Sequence, residues 1–242
     1  MTPVLEIKEI RKTFGGLKAV DGLSFSIAPG EVVGLLGPNG SGKTTLMNLI
    51  SGALKPTEGS IRLDGKETGG MRPDLIARSG VARTFQLVRL LPSLSLLENV
   101  AVSAVFGPRQ LSRADAEDVA RQCLKRIGLA GREHINAGDL TYIDQKRLEL
   151  ARALAGEPKL LLLDEWLAGL NPTELTEGIE LIRQLSREGT TILLVEHIMA
   201  AVRALCPRSV VMAAGRKIAD GPTSTVLDDP NVISAYLGVA HA

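Results

Sequence analysis

The stretch GLLGPNGSGKTTLMNLI, residues 34–50, puts three closely spaced glycines between an apolar run and a helix-forming one. It fits G-x-x-x-x-G-K-[ST] at Gly37, Gly42, Lys43 and Thr44, in the context of a strand before and a helix after. Glycines allow backbone N–H groups to turn inward around an anion at φ values that other residues resist. The N-terminus of the following helix adds its dipole. A loop of this kind, Gly37, Pro38, Asn39, Gly40, Ser41, Gly42, Lys43, Thr44 and Thr45, predicts a phosphate cradle. Lys43 is placed to reach the β- and γ-phosphates of a nucleotide, and the Thr44 hydroxyl to ligate Mg²⁺.

A phosphate loop needs an α/β sheet around it, and the rest of the chain supplies one. VLEIKEI and LSFSIAPG alternate apolar and polar residues, and SIRLDG ends in an Asp-Gly turn; each reads as a strand. EVVGLL, KLLLLDE, TTILLVEH and SVVMAAG are short apolar runs suited to buried parallel strands. PTELTEGIELIRQLSREG reads as a helix stopped by Gly189. Residues from about 95 to 155 read as mainly helical, with Val119, Cys123 and Ile127 at i+4 spacing and Gly128 near the stop. The expected architecture is an α/β P-loop cassette: a parallel-sheet core, an antiparallel β subdomain and an inserted helical subdomain. Residues 1–242 form one such unit, with core and β subdomain at about 1–94 and 156–242 and the helical insertion at about 95–155.

Composition narrows the function. The chain has 242 residues, is 45% hydrophobic and 23% charged, and carries a net charge of +1 from 28 basic and 27 acidic residues. That balance gives no polyanion-binding surface, and 3% aromatics gives few stacking platforms, so nucleic acid is not the expected partner. Cys123 and Cys206 stand apart without ligand spacing and read as buried apolar residues in a reducing compartment. MTPVLEIKEI carries charges where a signal peptide needs an apolar core, and LLENVAVSAVF is too short and polar to span a bilayer. A cytoplasmic chain is expected, reaching a membrane only by docking on another protein.

KLLLLDE ends in two carboxylates at the C-terminal end of a buried strand, where open α/β sheets bind ligands. Asp164 is expected to serve Mg²⁺ through water, and Glu165 to orient or deprotonate the attacking water. With these residues in place, the chain resembles the nucleotide-binding subunit of ABC transporters over essentially its whole length. The resemblance implies further roles. Gln86 in RTFQLVRLLP falls at the Q-loop glutamine, which senses Mg²⁺ and the γ-phosphate. GLNP at 169–172 falls at the D-loop, His197 at the switch histidine, and Phe14 where an aromatic stacks on adenine. FGGLKAVDGLSF, RTFQLVRLLPSLSLLENV, AGLNPTE and the tail VISAYLG are similar to the Phe-Gly-Gly type of the two ATPases in branched-chain amino acid importers. The lipopolysaccharide-transport ATPase is a close relative. The implied assembly is a head-to-tail homodimer, or a heterodimer with a second ATPase, bound to ATP and Mg²⁺. It would sit beneath integral membrane permease subunits at the cytoplasmic face of the inner membrane, served by an external solute-binding protein. LVRLLPSLSLLENV would then be partly exposed as a groove for a cytoplasmic permease helix.

The least regular segment is LTYIDQ, residues 140–145. It occupies the place of the family's Leu-Ser-Gly-Gly-Gln signature, often Leu-Ser-Tyr-Gly in the importer subfamily, which contacts ATP held by the other subunit. Thr141 keeps a hydroxyl and Tyr142 fits the subfamily, while Ile143 replaces glycine; Asp144 follows. If position 143 needed a positive φ, isoleucine would cost roughly 1–2 kcal/mol or more. With a helical φ the remaining difficulty is bulk beside phosphate, and a lost charge-assisted hydrogen bond costs about 1.5–3 kcal/mol. The helix is expected to begin near 144, and the segment to be a modified but working signature. Trp166 replaces a common proline and reads as packing; Ile198 replaces a common aspartate. A soluble ABC-type ATPase acting on ribosomes or DNA fits poorly, since the chain has one cassette and no heptad arm. A weakly hydrolysing regulatory subunit finds its only support in Ile143.

Overall fold

The computed structural model describes residues 2–237; Met1 and residues 238–242, including the last residue of VISAYLG, lie outside them. The first two strands, β1 (Leu5–Phe14) and β2 (Leu17–Ile27), are ten and eleven residues long and pair antiparallel. They are longer than the short strands expected, because one alternating pattern runs through both arms of a hairpin. Next come β3 (Val32–Leu36), the phosphate loop and helix α1 (Lys43–Ile50). Then follow β4 (Glu58–Leu63), β5 (Lys66–Glu67), α2 (Pro73–Arg78) and β6 (Val81–Arg83). The middle of the chain is helical: α3 (Leu96–Phe106), α4 (Arg113–Arg126) and α5 (Tyr142–Leu154). The remainder is β7 (Leu160–Asp164), α6 (Pro172–Arg187), β8 (Ile192–Val195), α7 (Met199–Leu205), β9 (Arg208–Ala213), β10 (Arg216–Pro222), α8 (Thr223–Leu227) and α9 (Pro230–Leu237).

Two sheets result. One has order β2-β1-β4-β5 and is antiparallel; the other has order β10-β9-β3-β8-β7-β6, parallel except at β10. The buried parallel strands split by alternation between two apolar cores, as a two-residue period requires. Leu161, Leu163, Ile192 and Leu194 face the core shared with α3 to α7. Leu160, Leu162, Leu193 and Val195 face the core shared with β1, β2, β4 and α1. The short strand β6, the edge strand β10 and the two C-terminal helices were not anticipated. They lack either the length or the apolar period that betrays a buried element.

Helix ends follow local chemistry. Ser95 caps α3 in a reciprocal capping box with Glu98, and Asn171 does the same for α6 with Glu174, satisfying N–H groups that the helix leaves orphaned. Both cysteines are buried, and burial pushes the thiols up to about 11 for Cys123 and about 12 for Cys206. Among the described residues no helix is long and apolar enough to cross a membrane.

Candidate functional site

Four parallel strands deliver residues to one edge of the larger sheet. β3 runs into the phosphate loop, β7 ends at Asp164, β8 leads to Glu196 and His197, and β6 leads to Gln86. An open cleft of about 870 Å³ lies there, lined by Phe14, residues 39–45, Glu165 and His197 among others. Two loop glycines are dictated by space as well as by dihedral. Gly37 has φ 145° and a side chain there would meet the Met212 carbonyl oxygen at 2.2 Å; Gly42 has φ 105° and would meet that of Ala19 at 2.3 Å. The first N–H groups of α1 have no helical carbonyl to bond, so they are available to an anion.

Lys43 is buried, and its Nζ donates to the carbonyls of Gly37 at 2.6 Å and Pro38 at 3.0 Å. Burial lowers its pKa; the charges of Glu165 and Asp164 act the other way. Thr44 and Thr45 line the cleft, and Phe14, 45% exposed, stands at its rim with Lys12 Nζ over its ring at 5.0 Å from the centroid.

Glu165, His197 and Gln86 converge. Gln86 Nε2 donates to Glu165 Oε2 at 2.8 Å, and His197 Nε2 shares a hydrogen bond with Glu165 Oε1 at 2.8 Å. The glutamate sits at φ 50°, a left-handed conformation that side-chain-bearing residues adopt at a cost. Its two carboxylate oxygens are each held by a residue of a different loop, one after β6 and one after β8.

Asp164 is buried, and one of its oxygens is taken: Arg83 Nη2 donates to Oδ2 at 2.8 Å. Arg83 also reaches α1, donating to Asn48 Oδ1 at 2.7 Å and Ser51 Oγ at 3.0 Å. A hydroxyl (Thr44), an amide oxygen (Gln86) and the other Asp164 oxygen are all hard donors, which fits Mg²⁺. Among the described residues no cluster of three or more His, Cys, Asp or Glu could hold a metal. Such an ion would therefore be held mainly by phosphate and water, the usual arrangement for Mg²⁺.

The segment 141–144 does not line this cleft. Helix α5 begins at Tyr142 with Thr141 at its N-cap, two residues earlier than expected. Ile143 therefore lies in the first helical turn, is not among the residues of positive φ, and is 9% exposed. Asp144 is buried in ion pairs with Arg132 at 2.6 Å and Arg147 at 3.2 Å rather than offered outward. Thr141 and Tyr142 are exposed, and the Tyr142 ring lies against Gly169 of the D-loop.

Several residues here carry no motif and were missed. Lys146, almost fully buried, donates from Nζ to the Trp166 carbonyl at 2.9 Å, while the Trp166 indole donates back to the Lys146 carbonyl at 3.1 Å. Glu196, also buried, accepts from the Leu167 N–H at 2.7 Å. Burial pushes its carboxyl up to about 7 against backbone hydrogen bonds from Leu167 and His197. Glu149 accepts backbone N–H groups of Phe85 and Arg89, and Arg152 donates to the Arg89 carbonyl, so α5 grips the segment around Gln86. The one available signal was charge on the buried face of α5, which only the fold defines.

Comparison with known proteins gives the family and the fold. The family described as "ABC transporter" matches residues 20–168. The chain belongs to the ABC transporter ATP-binding family. The C-terminal part of the cassette, residues 216–242, matches the family described as "Branched-chain amino acid ATP-binding cassette transporter". The cassette is 40% identical to the high-affinity branched-chain amino acid transport ATP-binding protein BraF of Pseudomonas aeruginosa, covering 98% of this chain and 99% of that one. It is 41% identical to LivG of Escherichia coli K12 with the same coverage. A crystal structure of an ABC transporter cassette in its ADP conformation superposes with a TM-score of 0.88 at 31% identity, covering 98% of this chain and 100% of that one. A dimeric cassette structure bound to ADP and Pi superposes at 0.80 and 27% identity, covering 90% and 98%.

Proposed function

We propose that this cassette hydrolyses ATP to power an importer of branched-chain or other hydrophobic amino acids. The observation that carries the ATPase half is the Gln86–Glu165–His197 constellation at the mouth of a glycine phosphate loop. The cargo rests on likeness to relatives named for branched-chain amino acid transport.

In this reading residues 37–45 wrap the phosphates with backbone N–H groups, Lys43 turns from loop carbonyls to the phosphate oxygens, and Phe14 stacks on the base. Thr44, Gln86 and Asp164 would hold Mg²⁺, whose bound charge offsets that of the transferring phosphoryl group. Glu165 positions and deprotonates the attacking water, oriented by Gln86 and His197. His197 also stabilises the developing charge. Residues 141–144 act on the ATP of a second cassette, since they do not line the chain's own cleft. Closure and reopening of that dimer would move the permease subunits.

A half-enclosed groove of about 510 Å³ fits the docking of a permease helix. It is lined by Ile76, Val81, Phe85, Val102 and Phe106 among others; of LVRLLPSLSLLENV only Arg89 lines it, and the exposed Leu87 and Leu91 lie outside it. The grip of Glu149 and Arg152 on residues 85–89 would tie that groove to α5.

Glu165→Gln tests the reading. The variant should bind ATP, lose at least about a hundredfold in turnover, and accumulate as an ATP-bound dimer in size-exclusion chromatography. Turnover within a few-fold of the parent would remove Glu165 from the chemistry.

A further inference from the structure

The entry to the phosphate loop is held from an unexpected direction. Gly37 follows β3 directly, and each of the two peptides that meet at its Cα makes a side-chain hydrogen bond. Its carbonyl accepts Lys43 Nζ at 2.6 Å, and the Met212 carbonyl of β9 leaves it no room for a side chain. Its N–H donates to the phenol oxygen of Tyr236 at 2.7 Å, a residue of α9 lying 199 positions away in sequence. Tyr236 is 37% exposed; its phenol pKa is raised by burial. Nothing in the cleft chemistry above uses it.

Gly37 is buried, and a buried N–H without a partner is costly. Lys43 cannot serve Gly37 and a phosphate at once. When it turns, the Gly37–Pro38 carbonyl is released, while the Tyr236 bond still orients the preceding Leu36–Gly37 peptide, the first of the loop. We propose that Tyr236 is a positioning residue for nucleoside triphosphate binding, its hydroxyl keeping the first peptide of the phosphate loop preorganised. This rests on the reading that residues 37–45 hold ATP phosphates. Loss of the hydroxyl would let that peptide rotate, and the ordering would then be required of each binding event.

The test is Tyr236→Phe in the full chain, which removes one oxygen and keeps the ring, compared with Leu237→Ala on the same helix, whose side chain is 72% exposed. ATP-dependent rates and binding of a fluorescent ATP analogue are measured beside thermal melts with and without MgATP. Tyr236→Phe should raise KM and Kd about three- to tenfold, the scale of one hydrogen bond. Its kcat at saturation should stay within about twofold, and its melting shift on adding MgATP should shrink. Leu237→Ala should change none of these. An unchanged KM and Kd in Tyr236→Phe would overturn the proposal, as would equal changes in both variants. A parent chain that binds no ATP would instead overturn the phosphate-loop reading on which the proposal rests.

Discussion

At position 143 a departure in sequence turns out mild in structure. Isoleucine in place of glycine looked costly only if the backbone needed a positive φ, and here the residue lies in the first turn of α5 with ordinary helical geometry. Its side chain is nearly buried, so its bulk is directed mostly into the protein. Ile143→Gly should therefore lower stability by on the order of 2 kcal/mol through lost burial and helix propensity. ATP turnover should stay within about tenfold of the parent. A chemical melt and a steady-state ATPase assay check both; a large rise in turnover would mean that the isoleucine obstructs the contact with a second subunit. The residue scale was also where the sequence was most informative. Gly37, Gly42 and Lys43 were expected because phosphate chemistry restricts residue type and spacing tightly, and Glu165 from its place at a strand end, whereas Gln86 and His197 came only with the family resemblance. Lys146, Glu149 and Glu196 were not, because a charged residue reveals itself as buried only once the fold decides which face is inside.

At the scale of elements, a buried polar seam joins α5 to the ends of β7 and β8. Trp166, fully buried, exchanges hydrogen bonds with Lys146, and Glu196 holds the next N–H along. Helix α6 makes room for this with Gly178, where a Cβ would meet Leu167 at 2.7 Å and Trp166 at 3.2 Å. The large residue that replaces a common proline therefore has a packing account. Glu196 also sets a pH dependence. Its folded-state pKa of about 7 lies above the ordinary 4.5, so the folded chain holds its proton where the unfolded chain releases it. The stability this contributes is complete below about pH 4.5 and is lost as pH rises through 7, by on the order of 3 kcal/mol. Glu196→Gln should remove that loss: in urea unfolding, the stability difference between variant and parent should move in favour of the variant between pH 5 and pH 8. A constant difference would mean that Glu196 does not titrate in this window.

At the scale of the whole molecule, the alternation of strands and helices along the chain was readable from its apolar runs and helical patterns, because a buried parallel strand cannot hide its composition. The C-terminal arrangement was not. Strand β10 is an edge, and α8 and α9 are short, so neither announces itself by period, yet α9 supplies the residue that touches the phosphate loop. The molecule also splits its chemistry: the phosphate loop, Glu165 and His197 share one cleft, while Thr141 and Tyr142 are exposed outside it. If each ATP is completed by a second copy, activity per chain should rise with chain concentration until the dimer is saturated. A dilution series of the purified chain checks this; a rate strictly proportional to concentration would mean that one copy suffices, and no rate at any concentration that a different ATPase is the required partner.

Glu165 holds its carboxylate in place with a backbone conformation, φ 50°, that glycine or asparagine would adopt with less strain. The native sequence therefore keeps a locally unfavourable residue at the centre of its cleft. Selection of this chain for thermal endurance alone would be drawn to position 165 as readily as to Glu9, Asp64, Gln110, Glu157 or Ala214, which share its positive φ, and under the proposed function each gain at 165 would be set against turnover.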